Sequence, residues 1–178
     1  MEDDASLVKR SVEGDSAAFG ILYDRYAGLI RAVCFDSTRD LTMAQDLAQE
    51  VFIRAYSKLG KLRKEDSFGP WLFGIARRVG QEWQRTRRRD RHRYTSNLPE
   101  PNLHTNPDLT DAISELRLAI ADLPERERSA LHLFYLQSDP VEDGRNVLGL
   151  SKSAFYKVVA SARERLAKAL SKKLENIR

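Results

Sequence analysis

Apolar residues recur at helical spacing along most of the chain. The first amphipathic helix is predicted by a series at this spacing, which consists of Phe19, Leu22, Tyr23, Tyr26, Ile30 and Val33. The second runs from Ala44 to Leu59, and Thr42-x-x-Gln45 at its start has the form of a capping box. After the polar stretch 60–69, Pro70 suits the first turn of a third helix, which is lined by Leu72, Ile75, Ala76, Val79 and Trp83. No long run alternates apolar and polar residues, so the pattern predicts an all-α protein.

The helical periodicity fails between about residues 91 and 111. Pro99, Pro101 and Pro107 interrupt a polar stretch there, a composition that favours an extended, mobile linker. Helical spacing resumes at Ile113, and Pro124 is placed to begin another helix. We therefore predict two helical domains, residues 1–93 and 113–178, joined by a flexible linker over residues 94–112.

The charge is segregated along the chain, although the net charge is only +4. Eight arginines in 77–93 face two acids, a balance of +6, and seven basic residues in 151–173 face one acid, again +6. Between them, 100–143 carries ten acids and three arginines, a balance of −7. Two basic stretches on separate modules indicate two surfaces for nucleic acid, whereas solvated helix faces are the alternative for either run alone.

Composition and chain start exclude several classes of protein. Of the 178 residues, 42% are hydrophobic and 31% charged, as in globular domains. No apolar run approaches the roughly 20 residues that span a bilayer, and the start Met1-Glu2-Asp3-Asp4 lacks the positive charge of a signal peptide. The single cysteine, Cys34, lies in an apolar context and is interpreted as a buried small hydrophobe. These observations predict a cytoplasmic protein without membrane insertion.

The sequence shows no pattern that is typical of a catalytic or metal-binding site. The three histidines, His92, His104 and His132, have no ligand partner at metal-site spacing. Glycine-rich phosphate loops and nucleophile elbows are absent from the sequence. We therefore predict neither a catalytic residue, nor a metal, nor a cofactor, and the protein is not expected to be an enzyme.

A helix-turn-helix is predicted near the C-terminus. In Leu148-Gly149-Leu150-Ser151, Gly149 would end one helix with a positive φ, Leu150 would fill the angle and Ser151 would cap the next helix. Phe155, Val158, Val159 and Ala162 can then pack inward. The residues left for the major groove are Lys152, Ser153, Tyr156 and Lys157. An ordinary surface helix after a turn is the alternative.

Five ordered motifs resemble the extracytoplasmic-function (group IV) RNA polymerase sigma factors of the sigma-70 family. They are Phe19-x-x-Leu22-Tyr23-x-x-Tyr26, Asp46-Leu47-Ala48-Gln49-Glu50-Val51-Phe52-x-Arg54-Ala55-Tyr56, Trp71-Leu72-Phe73-Gly74-Ile75-Ala76-Arg77, Leu123-Pro124-Glu125-Arg126-Glu127-Arg128 and Ala162-Arg163-Glu164-Arg165-Leu166. The resemblance covers about residues 5–172. It implies sigma region 2 in the first domain and sigma region 4 in the second.

The resemblance also implies a function and its sites. Such a factor binds core RNA polymerase, at the clamp helices of the largest subunit and the flap of the second largest, and directs it to promoter DNA. An anti-sigma factor is a candidate further partner. Core polymerase would be bound by Asp46, Gln49, Glu50 and Arg54, which are otherwise plain solvent-side residues of an amphipathic helix. The −10 element would be bound by Lys61, Arg63, Lys64, Trp71, Arg77, Arg78, Gln81, Arg85 and Arg88, with a flipped base captured by the loop 61–68. The −35 element would be read by Lys152, Ser153, Tyr156 and Lys157.

Two departures from the family pattern qualify these expectations. Arg78 stands where the family usually has Asn, so the −10 contacts cannot be copied residue for residue. Gly144-Arg145 stands where Ile-Ala is common in the first helix of the helix-turn-helix. A mid-helix glycine costs about 1 kcal/mol relative to alanine, which predicts a marginal region 4 or a weak −35 contact.

Two other readings remain open. A stand-alone helix-turn-helix regulator would bind duplex DNA without polymerase, although no dimerisation or effector element is visible. A degenerate relative, suggested by the unusual 140–146 stretch, would bind polymerase or an inhibitor without initiating transcription.

Overall fold

The computed structural model describes residues 2–93, 109–137 and 140–176, and within these ranges every regular element is a helix. The first half contains α1 (Asp4–Val12), α2 (Ser16–Thr38), α3 (Leu41–Lys58) and α4 (Phe68–Arg93), with 3₁₀ turns at Leu59–Lys61 and Glu65–Ser67. The second half contains α5 (Leu109–Ala121), α6 (Glu125–Leu136), α7 (Pro140–Leu148) and α8 (Lys152–Asn176). The predicted all-α fold with two helical domains is confirmed. None of the helices in these ranges has the length and apolarity needed to cross a membrane.

Helix α1 was not predicted, because it is only nine residues long. It is held in place by its own cap and by α2. The Asp3 side chain accepts a hydrogen bond from the Ser6 amide at 2.8 Å, and Asp4 accepts from Arg25 and from the Tyr26 hydroxyl. Its apolar side is almost limited to Leu7 and Val8, which are fully buried. Two residues are too few to reveal a period of 3.6 in the sequence.

The long helices α2, α3 and α4 enclose the core of the first half. Cys34 is fully buried there, as predicted, and burial raises the pKa of its thiol to about 12. The predicted capping box at Thr42 is wrong: α3 begins at Leu41, and Asp40 caps it by accepting from the Met43 amide at 2.9 Å. Asp is a stronger N-cap residue than Thr, and Asp40 lies one position before the helix rather than inside it.

The helix-turn-helix of the second half forms as predicted. Gly149 has φ +63°, and the Ser151 hydroxyl accepts from the Ala154 amide at 3.3 Å. Phe155, Val159 and Ala162 are buried. Gly144 is required by this packing, because a Cβ atom at position 144 would lie 2.3 Å from the Phe155 ring. The unusual glycine therefore lets α7 and α8 approach closely, at the cost of some helix propensity.

The two halves share part of one core. Ala121 and Leu133 belong to the same buried cluster as the residues of α1–α4, and Leu118, Val147 and Leu148 pack against it. Helix α5 begins at Leu109, inside the stretch that the sequence assigned to the linker. Residues 94–108 lie outside the described residues, so the predicted mobility of this stretch stays a prediction.

Candidate nucleic-acid interface

A basic stripe runs along the exposed side of α4. Four of its five members follow one another at intervals of four, four and three residues, so they share one helix face, and Arg78 lies at the edge of that face, one position after Arg77. They are Arg77, Arg78, Gln81, Arg85 and Arg88, all of them exposed. The opposite side of the helix buries Leu72, Ala76 and Val79 in the core. The stripe therefore presents a fixed row of cations on a rigid element, the arrangement that a phosphate backbone binds.

The loop before α4 carries further exposed cations. Lys61, at the end of the first 3₁₀ turn, and Arg63 and Lys64, between the two turns, are exposed. Trp71, in the first turn of α4, is half-buried, with its ring centroid 6.0 Å from that of Phe68. A partly exposed aromatic ring beside exposed cations is suited to stacking on an unpaired base.

The four residues predicted to bind polymerase lie on one face of α3. Asp46 and Gln49 are exposed, and Glu50 and Arg54 are half-exposed. Arg54 donates to Glu50 at 2.6 Å and to Glu82 of α4 at 2.6 Å. Its guanidinium holds the pKa of Glu82 below the usual range. Arg54 is therefore committed to an internal bridge, and the face of α3 borders the stripe of α4 at this ion pair.

Sequence reasoning missed two apolar side chains on the same face of α3. Ile53 is 64% exposed and Tyr56 is 49% exposed. Both lie off the apolar series that runs from Ala44 to Leu59, which is the signal that could have found them. Exposed large apolar side chains next to Gln49 mark a surface that a protein partner can cover.

The start of α8 presents the four residues predicted to read the −35 element. Lys152, Ser153, Tyr156 and Lys157 are all exposed. The Tyr156 ring lies 6.4 Å from the ring of Phe134 on α6, so this side chain is positioned by packing. A second feature was not predicted: Arg163 of α8 stacks over Phe134 and Tyr135 and donates to the Tyr135 hydroxyl. This contact holds α8 against α6 on the C-terminal side of the residues predicted to read the −35 element.

Metal binding finds no support among the residues that the structure describes, where no cluster of three potential ligands occurs. The sequence around His132 shows no partner for this histidine, but the structure places one beside it. Its Nε2 lies 3.1 Å from the Asp36 carboxylate, across the junction of the two halves. No sequence signal links two residues of different helices that lie so far apart along the chain.

Comparisons with known proteins agree with this architecture. Residues 22–91 match the family model described as Sigma-70 region 2. The chain is 32% identical over 182 residues to the RNA polymerase sigma-H factor of Pseudomonas aeruginosa, with 95% of this chain and 94% of that protein covered. It is 26% identical to the ECF RNA polymerase sigma factor SigM of Bacillus subtilis, over 82% of this chain and 90% of that protein.

A longer relative shares a similar identity. The chain is 30% identical over 161 residues to the probable RNA polymerase sigma factor RfaY of Xanthomonas campestris, which covers 84% of this chain. The chain spans 40% of the length of that protein.

Two solved structures share the fold. The structure of CnrH in complex with the cytosolic domain of CnrY has a TM-score of 0.67, with 21% identity over 96% of this chain and 99% of that chain. The sigma factor RpoE in complex with the anti-sigma factor NepR, from Bartonella quintana, has a TM-score of 0.58, with 23% identity over 85% of this chain and 97% of that chain.

The match to the sigma-H factor covers nearly the whole of both proteins, and the region 2 model falls on the segment that carries the predicted polymerase-binding residues of α3 and the basic stripe of α4. The chain belongs to the sigma-70 family of RNA polymerase sigma factors, as a member of the extracytoplasmic-function type. Sigma factors are transcription initiation factors.

Proposed function

We propose that the chain binds core RNA polymerase in the cytoplasm and directs it to promoters by contacting a −10 element with α4 and a −35 element with α8. The observation that carries this proposal is the exposed stripe on α4, because it lies within the segment that matches Sigma-70 region 2. In this proposal the protein acts by binding and positioning rather than by catalysis.

The face of α3 is the proposed polymerase contact. Asp46 and Gln49 offer free polar groups, and Ile53 offers an apolar anchor beside them. Interfaces gain most of their energy from a few central side chains that become buried, so Ile53 is expected to contribute more than its polar neighbours. Glu50 acts together with Arg54, which it holds in place at 2.6 Å.

The two DNA surfaces are proposed to work differently. The stripe on α4 is too dense in arginine for every residue to read a base, so most of its contacts are with phosphates and with the opened −10 strand. The N-terminal residues of a recognition helix contact base edges in the major groove, so −35 readout is assigned to the exposed residues at the start of α8, which are Lys152, Ser153, Tyr156 and Lys157.

A protein inhibitor is a further proposed partner. Two proteins with the same fold, CnrH and RpoE, have been solved with a bound protein, which for RpoE is the anti-sigma factor NepR. We extend this class of partner to the present chain because its polymerase face is exposed and partly apolar.

Two alternatives predict different results. A stand-alone regulator would bind duplex promoter DNA equally well without polymerase. A degenerate relative would bind polymerase without initiating, but the feature that suggested it now has a packing explanation, since Gly144 makes room for the Phe155 ring.

The test is run-off transcription with purified bacterial core polymerase on genomic fragments that include the region upstream of this gene. Promoter-specific transcripts that need both proteins are expected. Core binding is measured in parallel by pull-down with Ile53→Ala and Glu50→Lys, both of which should weaken it several-fold. Glu13→Lys makes the same charge change at an exposed site at the end of α1 and serves as the control. If Glu50→Lys and Glu13→Lys behaved alike and Ile53→Ala bound normally, α3 would not be the polymerase contact.

A further inference from the structure

A cleft of about 260 Å³ lies between the end of α2 and the C-terminal half of α4. Its walls include one aromatic ring, three guanidinium groups, an amide and a hydroxyl group, which belong to Trp83, Arg39, Arg87, Arg88, Gln84 and Ser37. Among the described residues, no acidic side chain lines it. The two helices approach closely beside the cleft, because a Cβ atom at position 80, where the chain has glycine, would clash with the Ser37 hydroxyl. The cleft is therefore a fixed feature of the first half.

The cleft faces another side of α4 than most of the basic stripe. With 3.6 residues per turn, Trp83 is about 200° around the helix from Gln81. The loop 61–68, where a flipped base is expected, precedes the opposite end of α4. Arg88 is the one residue that lines the cleft and also belongs to the stripe. The cleft is thus a further site, which the assigned −10 contacts do not use apart from Arg88.

The Trp83 ring is covered by a movable side chain rather than closed off by the core. Trp83 is half-buried and packs against the large buried cluster. The guanidinium group of Arg87 lies over its ring, 5.0 Å from the ring centroid. A guanidinium group is planar and stands on a flexible stem, so a planar nucleobase can take its place on the indole. The displaced guanidinium group can then stack on the base or bind its phosphate.

Two of the three cations in the cleft are available to an anion. Arg87 and Arg88 form no ion pair with the residues that the structure describes. Arg39 is partly committed, because it pairs with Asp122 at 3.0 Å and donates to carbonyl groups of α5. Glu82 of the same helix does not neutralise the cleft, since it is paired with α3. Free guanidinium groups beside an aromatic ring match the two parts of a nucleotide, its phosphate and its base.

We propose that this cleft is a nucleotide-binding site, in which a nucleobase stacks on Trp83 and the attached phosphate binds Arg87 and Arg88. The ligand is defined by this chemistry, an aromatic base joined to phosphate, and its source is either a free nucleotide or an unpaired position of a DNA strand. A free nucleotide goes beyond the proposed function, whereas a strand extends the proposed −10 contact and rests on it.

Tryptophan fluorescence tests the stacking directly, because the chain contains only two tryptophans. In Trp71→Phe, Trp83 is the only one left, and a base stacked on it quenches its emission. The free full-length variant is titrated with ATP, with a short single-stranded oligonucleotide of mixed sequence, and with inorganic tripolyphosphate, which has the charge without a base. Quenching by ATP identifies a free nucleotide as a ligand, and quenching by the oligonucleotide alone identifies a strand. Tripolyphosphate should not quench.

The affinity separates stacking from a general attraction to cations. It is measured by isothermal titration calorimetry with whichever nucleotide probe quenches Trp83. Trp83→Leu removes the aromatic face without a change of charge and should weaken binding about tenfold. Trp83→Phe keeps an aromatic face and should retain most of the affinity, which guards against a loss that comes only from the packing of this side chain. Equal affinity of the wild type and Trp83→Leu would overturn the site.

A charge variant tests the phosphate contact without touching the core. Arg87→Gln should weaken binding at least about fivefold, because it removes a charged hydrogen-bond donor. Arg31→Gln is the matched control, since Arg31 is exposed on α2 and does not line the cleft, and it should bind like the wild type. The site is also overturned if ATP and the oligonucleotide leave the emission of Trp83 unchanged, or if the two arginine variants bind alike. These measurements need no polymerase, so a failure of the cleft is distinguishable from a failure of the proposed function, which shows as absent core binding by the wild type.

Discussion

Of the twenty-four residues in the larger buried cluster, twenty-two come from residues 2–93 and two, Ala121 and Leu133, come from the second half. The second half has a cluster of its own with six buried residues. Small domains bury a smaller fraction of their surface, and their stability depends on each buried side chain. The first half can therefore lose a side chain and remain folded, whereas the second half depends on Phe155 and on its contact with the first.

The largest expected effect is a loss of stability that is confined to one of the two cores. Phe155 and Phe68 are both fully buried, and truncation of such a residue to alanine costs about 3–5 kcal/mol. Phe155→Ala should unfold α7 and α8 while α2 and α3 keep their protection in hydrogen–deuterium exchange. Phe68→Ala should lower protection in the first half. Equal loss of protection in both halves of Phe155→Ala would show a single cooperative unit instead of two unequal ones.

Two glycine substitutions should change stability in opposite directions. Gly144→Ala forces a methyl group into the Phe155 ring and should destabilise the second half by about 1–3 kcal/mol. Gly74→Ala is the control: Gly74 is exposed in α4 with nothing within 4 Å of the added atom, so the better helix propensity should stabilise the first half by about 0.5–1 kcal/mol. Urea unfolding followed by circular dichroism measures both. A stabilised Gly144→Ala variant would mean that α7 and α8 are packed less closely than described.

The DNA surfaces of the two halves should differ in their response to salt and sequence. Arg88→Ala should reduce the salt slope of holoenzyme–DNA binding by about 0.9 and weaken all sequences similarly, because a phosphate contact releases a counterion whatever the base. Lys157→Ala should cost about 1–3 kcal/mol on promoters with the correct −35 element. Both variants are assayed on intact and −35-scrambled promoters across a range of salt. An equal loss for Lys157→Ala on both promoters would reassign this side chain to backbone anchoring.

The effect that is smallest at neutral pH concerns Cys34, in the core of the first half. Burial raises the pKa of its thiol from 9.0 to about 12. Between these values the folded protein keeps a proton that the unfolded chain has lost, so the free energy of unfolding falls as pH rises from about 9 to 12 and is unaffected below about 9. Chemical unfolding at several pH values, with Cys34→Ala as the reference that lacks this thiol, measures the difference. An identical pH dependence in the two proteins would contradict the burial of the thiol.

The local features of the fold could be predicted well from the sequence. Periodicity placed the cores of the long helices, and the Leu148–Ser151 pattern predicted the turn, its positive φ and its cap, because these depend on residues a few positions apart. Predictions failed where the signal was short or ambiguous: α1 has only two deeply buried apolar residues, and Asp40 caps α3 in place of Thr42. The exposure of the predicted DNA residues on α4 and α8 follows from the same periodicity, while their roles remain proposals.

The sequence by itself determined the helices, the helix-turn-helix and the faces that carry charge, since each is set by spacing within one element. Only the tertiary structure decided which side chains meet across elements. It showed that the Phe155 ring packs where a side chain at Gly144 would lie, and that Arg54 forms an ion pair with Glu82. It also showed that the Asp36 carboxylate is paired with both Arg128 and His132. Asp36 and His132 are 96 positions apart along the chain. No pattern within a helix contains such a pairing, because it depends on how whole helices pack, and that is decided by the combined burial of all their apolar faces.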